Sequence, residues 1–283
     1  MRLATLEVNG SSTAAVEVNG LFVSLPAADV GALLKQPDWR QVVEAHLADE
    51  PAVSVRDADY RAVIPAPSKV LCCGHNYSEH IRELGRELPP FPTLFAKFAD
   101  TLTGPYAELV LDGESTEIDW EAELAVVVGA EVYKCTPEEA SAAIAGYTVA
   151  NDVSMRDWQR RTLQWLQGKA FDASTPLGPV LVTADECSPE SGLAITCTVN
   201  GEVVQEGCTS TLVFDAAALI SYISTFTVLR PGDVVLTGTP GGVGMARKPP
   251  RFLADGDVLV TAIEGIGELR NRVRMPVREP VLN

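Results

Sequence analysis

Apolar and polar positions alternate with period two along much of the chain, and turn residues break that alternation into short pieces. In residues 1 to 60, "RLATLEV", "AAVEV" and "LFVSL" read as strands joined at Asn9-Gly10 and Asn19-Gly20, dipeptides suited to tight hairpins. "VGALLKQ" and "WRQVVEAHLA" follow with helical spacing, and "VIPAPSK" carries Pro65 and Pro67, a boundary signal. The expectation is a small N-terminal α+β domain over 1–65 and a larger domain over 66–283.

The larger unit opens with "KVLCCG", a buried strand, then "NYSEHIRELG", a short helix with Asn76 as cap and Gly85 as stop. "TPEEASAAIAGY" predicts a helix started by Thr136, Pro137 and Glu139, a capping box. "YTVANDVS" is a strand reaching Asp152. "RDWQRRTLQWLQ" predicts a helix, "ITCTVNGEVVQ" a hairpin about Asn200-Gly201, and "DAAALISYIST" another helix. "DVVLTG", "DVLVTAIEG" and "ELRNRVR" are further strands. The fold class expected is β-rich α+β. Strand and helix alternate too irregularly for a doubly wound sheet or a (β/α) barrel.

One stretch breaks the simple pattern. In "EIDWEAELAVVV", residues 117–128 read as one strand, Ile118, Trp120, Ala122, Leu124, Val126 and Val128 share an apolar face. Asp119, Glu121 and Glu123 share the other, which then becomes apolar at Ala125 and Val127. A wet strand face would explain an acid pair. A face that turns apolar enters the protein, and buried carboxylates need partners. With Asp152 on a later strand, Glu121 and Glu123 form a set suited to a hard divalent cation, Mg²⁺ or Mn²⁺, between which ligand type does not choose.

Charge and cysteine usage narrow the partners. A formal net charge of −16 argues against nucleic acid and anionic membranes. A small anionic substrate stays possible, because exposed charges are screened beyond ~8–10 Å. The six cysteines form no Cys-x-x-Cys pair, which fits a reducing compartment. "MRLATLEVNG" lacks the apolar core of a signal peptide, and no apolar run approaches the ~18–20 residues of a membrane span. A cytoplasmic protein is expected.

Three further stretches could carry chemistry. In "HIRE", His80 and Glu83 lie three apart, so on a helix a carboxylate would orient an imidazole, the pairing a general base needs. An exposed helical ion pair is the plainer reading of those two alone. "GTPGGVG", residues 238–244, is followed by Met245-Ala246-Arg247 rather than Lys-Ser/Thr, and "ARKPP" cannot open a helix. It is neither a P-loop nor a dinucleotide loop, leaving a plain turn or one whose amides and Thr239 hydroxyl grip a carboxylate. Lys169 in "QGKAFDASTPLGP" is a lysine beside apolar residues, either solvated or carried inward.

Taken in order, "KVLCCGHNYSEHIRE", "DWEAELAVVVG", "GYTVANDVSMRDWQ", "GKAFDASTPLGP" and "LRPGDVVLTGTPGGVG" resemble the fumarylacetoacetate hydrolase family over roughly residues 66 to 275. The resemblance implies a rolled mixed β-sheet catalytic domain, commonly dimeric, behind a small variable N-terminal domain. It implies Glu121, Glu123 and Asp152 as metal ligands and His80 with Glu83 as a water-activating pair. Lys169 becomes a cation beside the metal, and Gln159, Gly238 and Thr239 contact substrate. His75 and the short stretch from Asp157 to Lys169 depart from the usual pattern and bear on specificity.

The reaction expected is hydrolysis of a carbon–carbon bond in an acylpyruvate, with fumarylpyruvate going to fumarate and pyruvate as the first choice. Oxaloacetate decarboxylation, or isomerisation or decarboxylation of 2-hydroxyhepta-2,4-diene-1,7-dioate-type diacids, would use the same site. A non-catalytic metal-dependent binder is the alternative from another class. Phosphoryl transfer is disfavoured because Lys and Arg do not cluster near the motifs.

Overall fold

The computed structural model describes residues 1–78, 81, 87–111 and 114–276. Among them, twelve strands join in one mixed sheet, five in a second, and two in a short ribbon. In the large sheet Arg2–Val8, Ser11–Val18 and Leu21–Ser24 form an antiparallel meander. Asn9 and Asn19 at φ 53° and 52°, each followed by glycine at φ 78°, make its two turns. Asn-Gly tolerates this left-handed backbone, so the hairpins are locally encoded. The meander is hydrogen-bonded to the body of the molecule through Arg2↔Val182 and Leu3↔Leu181, so strands of residues 1–65 extend the sheet of residues 66–283.

The sheet continues from Thr175–Thr183 through Ile144–Asn151, Ala122–Val128, Val234–Leu236 and Val70–Gly74 to Thr93–Lys97. Of these neighbours, Val234–Leu236 and Val70–Gly74 run parallel and the others antiparallel. Both faces are covered. Leu124, Val126 and Val128 enter a core shared with the five-stranded sheet, through residues such as Cys197, Leu259 and Leu269. Ala125 and Val127 enter a second core closed by the helices Val30–Leu34 and Trp39–His46. Burial on both sides explains the near-continuous apolar run. Other local signals also hold: Thr136 and Glu139 make a reciprocal capping box on the helix Pro137–Ala142, and Asp215 caps Ala216–Ser224. No helix among the described residues is long and apolar enough to cross a membrane.

Two local expectations are corrected. The strand over 117–128 is two strands: Ile118–Asp119 pairs with Ser154–Met155, and Ala122–Val128 with Ile144–Asn151. Side chains take the amides of Trp120 and Glu121 between them and of Ala122 at the start of the second. Asp119 accepts from Trp120 N, Asn151 from Glu121 N and Gln205 from Ala122 N, at 2.9–3.0 Å. The helix over "RDWQRRTLQWLQ" is two four-residue turns, Arg156–Gln159 and Leu166–Lys169. One helix would stack Trp158 and Trp165 two turns apart on one face. Instead Trp158 packs edge-on against Phe171, and Trp165 against Phe95 and His75. The Asn76 amide donates to the Phe214 and Thr237 carbonyls and its oxygen accepts from Phe214 N, while most of the helix expected between Asn76 and Gly85 lies outside the described residues.

Candidate active site

The sheet order brings the acids together. Glu123 lies on the Ala122–Val128 strand opposite Ala150, and Glu121 precedes that strand. Asp152 follows the neighbouring strand and is fixed to Glu121 by its own N–H, which donates to the Glu121 carbonyl at 2.9 Å. One carboxylate oxygen from each of Glu121, Glu123 and Asp152 lies within 4.8 Å of the others. Glu123 and Asp152 are fully buried and Glu121 nearly so.

Three buried cations surround them. Lys169 Nζ donates to Glu121 Oε2 at 2.7 Å and Asp152 Oδ2 at 2.8 Å. Lys97, at the end of the Thr93–Lys97 strand, donates to Asp152 Oδ1 at 2.6 Å. Arg156 reaches Asp119 Oδ2 at 2.8 Å, Glu121 Oε1 at 2.7 Å and Gln159 Oε1 at 2.9 Å. Counting Asp119, four buried carboxylates face three buried cations among the described residues, so one negative charge lacks a counter-charge among them.

That charge falls on Glu123. Among the described residues its hydrogen bond comes from Gly238 N, at 2.6 Å. Burial pushes its pKa well above the usual glutamate value, and Asp152 and Glu121 push it further. Asp152 moves the other way: burial raises it, but Lys169 and Lys97 together bring it below the ordinary aspartate value. Burial alone would lower the Lys169 pKa, yet Asp152 and Glu121 raise it, so this side chain is an ammonium at neutral pH. A convergent all-oxygen donor set with one uncompensated charge fits a hard divalent cation.

The glycine turn at 238–244 grips carboxylates, and they are the chain's own. Gly238 N holds Glu123, while Gly244 N and Met245 N hold Asp119 at 2.6 and 3.1 Å. Thr239 Oγ1 accepts from Gln205 Nε2 at 2.8 Å and is half-buried. Gln159 lies against the Lys169 turn. A Cβ on Gly168 would sit 2.5 Å from Gln159 N and Cβ, so glycine is what lets the two turns close. The structure thus gathers Glu121, Glu123, Asp152, Lys169 and Gly238, with Gln159 adjoining through Arg156. His80 and Glu83 lie outside the described residues.

Sequence reading missed Lys97 and Arg156. Lys97 ends a strand, "TLFAK", with no charge pattern around it, and Arg156 looks like a surface residue of a charged helix. Only their burial, 4% and 3% exposed, gives them away. All six cysteines are free thiols. A separate cleft of about 620 Å³ between Leu34–Gln41 and the Gly129–Glu131 turn includes none of the acids or lysines above.

Residues 69–274 match the family described as fumarylacetoacetate (FAA) hydrolase, C-terminal. The mitochondrial oxaloacetate tautomerase FAHD2A of Bos taurus is 43% identical over 268 residues, covering 94% of this chain and 85% of that protein. The structure of fumarylacetoacetate hydrolase from psychrophilic Exiguobacterium antarcticum superposes with a TM-score of 0.84 at 31% identity, covering 98% of this chain and all of that one. Maleylpyruvate hydrolase from Sphingobium sp. SYK-6, in complex with manganese(II) and pyruvate, gives 0.82 at 26% identity, with the same coverage. The FAHD2A relative is named as mitochondrial, which runs against the cytoplasmic expectation. In matched residues and in fold, the chain belongs to the fumarylacetoacetate hydrolase family.

Proposed function

We propose that this enzyme interconverts the keto and enol forms of a short 2-oxo diacid, with oxaloacetate as the preferred substrate. The observation that carries this is the buried Lys169 ammonium, bridging Glu121 and Asp152 inside the carboxylate cluster. Support for the substrate comes from the 43% identity to oxaloacetate tautomerases across nearly the whole chain. Residues 66–283 carry the catalysis and 1–65 form an accessory unit, in line with a family match that begins at residue 69. The assembly we propose is a homodimer.

Glu121, Glu123 and Asp152 would hold the divalent cation, Mg²⁺ or Mn²⁺, which supplies positive charge that draws an anionic oxo acid and acidifies its C3–H. Lys97 and Lys169 hold the two oxygens of Asp152, fixing its carboxylate. His80, paired with Glu83, removes the C3 proton. The electron pair moves to the C2 oxygen, and Lys169 presents a fixed positive charge to the enolate as it forms. Protonation of that oxygen completes an isomerisation in which nothing is gained or lost. Gln159, Gly238 and Thr239 are assigned to substrate contact.

The test follows enol absorbance of oxaloacetate with Mn²⁺, before and after chelation, in the wild type and Lys169→Met. Metal-dependent acceleration lost in the variant supports the reading. Tautomerisation no faster than in buffer, with the metal present, overturns it.

A second reading is acylpyruvate hydrolysis, fumarylpyruvate first, favoured by the fold match to a maleylpyruvate hydrolase. There His80 would deprotonate water for attack on the distal carbonyl, and pyruvate would leave as the enolate. Release of pyruvate from fumarylpyruvate, abolished in His80→Ala, would select it.

A further inference from the structure

From Arg161 to Gln167 every residue is exposed except Trp165, and Leu163 is 98% exposed. The indole meets the Phe95 ring at 5.4 Å and the His75 ring at 5.6 Å, both edge-on. A Cβ on Gly74 would lie 2.5 Å from Trp165 Cζ3, so the ring occupies the space over that bare strand position. Phe95 in turn lies 5.1 Å from Lys169 Nζ. Trp165 is also the residue that opens the Leu166–Lys169 turn, its carbonyl accepting from Gly168 N at 2.9 Å.

We propose that Trp165 is a positioning residue for Lys169. Seated on Gly74 and braced by Phe95, it anchors an otherwise solvated segment and so holds the ammonium between Glu121 and Asp152. This rests on reading Lys169 as the charge that faces the substrate. Trp165 also touches His75, so one ring ties the Lys169 turn to the strand end that leads into "HNYSEH".

The test uses full-length protein carrying Trp165→Ala, Trp165→Phe, Gly74→Ala, and Gly74→Ala with Trp165→Ala. Lysine acylation read by peptide mass spectrometry reports the exposure of Lys169, and Lys97, also buried against Asp152, is the internal reference. Trp165→Ala should label Lys169 about tenfold faster, with Lys97 unchanged, because local opening controls access. With Mn²⁺ and oxaloacetate, kcat should fall roughly 10–100-fold with little change in KM, the effect of a displacement near 1 Å. Trp165→Phe should restore both readouts to within about threefold. Gly74→Ala alone should resemble Trp165→Ala, and adding it to Trp165→Ala should change nothing further, since contacting residues are not additive.

Wild-type labelling of Lys169 in both Trp165→Ala and Gly74→Ala, or fully additive substitutions, overturns the proposal. If Trp165→Ala does not fold, labelling of Gly74→Ala decides alone. If the wild type turns over no 2-oxo acid, the functional reading fails while the labelling still decides the position of Lys169.

Discussion

Among the described residues, Glu123 sits in the interior with a single backbone amide donating to it, while Asp152, no more exposed, has a lysine on each oxygen. The contrast makes Glu123 the pH-sensitive member. Its folded pKa lies above the unfolded value of about 4.3, so the stability it contributes is present below that pH and lost as pH rises through the folded pKa. A cation that binds only the folded chain offsets this loss and competes with the proton. Mn²⁺ should therefore raise the melting temperature more at pH 8 than at pH 5.5. Glu123→Gln should make the metal-free protein more stable at pH 8 and erase the Mn²⁺ response; a Mn²⁺ shift equal at both pH values in the wild type would refute the assignment. Lys97→Met leaves Asp152 with Lys169 alone. Breaking a buried pair costs about 3–5 kcal/mol, and the low end is expected here in a denaturant titration. The acids were legible in the sequence because a strand face that turns apolar announces burial. Lys97 and Arg156 were not: Lys97 carries no local charge pattern, Arg156 is one of several charges in "RDWQRR", and the carboxylates they meet lie 55 and 37 positions away, reached only through the sheet order.

Elements encoded by local chemistry follow the sequence closely. The Asn-Gly hairpins and the Thr136–Glu139 capping box need no tertiary partner to be recognised. The stretch 156–169 does need one. Its helical spacing is real, but Trp158 and Trp165 are claimed by different neighbours, and the chain breaks between them. The same logic governs the break at Trp120 and Glu121, whose amides are taken by the Asp119 and Asn151 side chains. Gly168→Ala tests the closure of the two turns. The added methyl meets Gln159 backbone and side chain at 2.5 Å, so turnover should fall at least about tenfold for a displaced Lys169. Because the atoms met include backbone, Gln159 N and Met155 O, the melting temperature should fall as well, as for an overpacking cost of about 1–3 kcal/mol. Unchanged kcat would mean that the turns separate without consequence.

For the whole molecule, the two-sided burial of the large sheet makes residues 1–65 part of the structure that supports the acids. Leu3, Val16, Val30 and Leu33 share a core with Ala125, Val127 and Leu236. Removing residues 1–65 should leave that face bare, and the remaining chain should aggregate or bind a hydrophobic dye at room temperature. A monodisperse, cooperatively melting fragment would refute this.

The pairing of Leu3 with Leu181 also dictates a schedule. The hairpin of Arg2–Val8 and Ser11–Val18 must wait for a strand made roughly 180 residues later, about 10–40 s at ~5–20 residues per second. During that interval Asp59–Tyr60 can cover Leu6 and Glu7, but the Arg2–Leu3 end of that edge stays bare, an opening for mispairing between nascent chains. Expression yield should therefore respond to translation speed and chaperone supply more strongly than the finished protein's stability suggests.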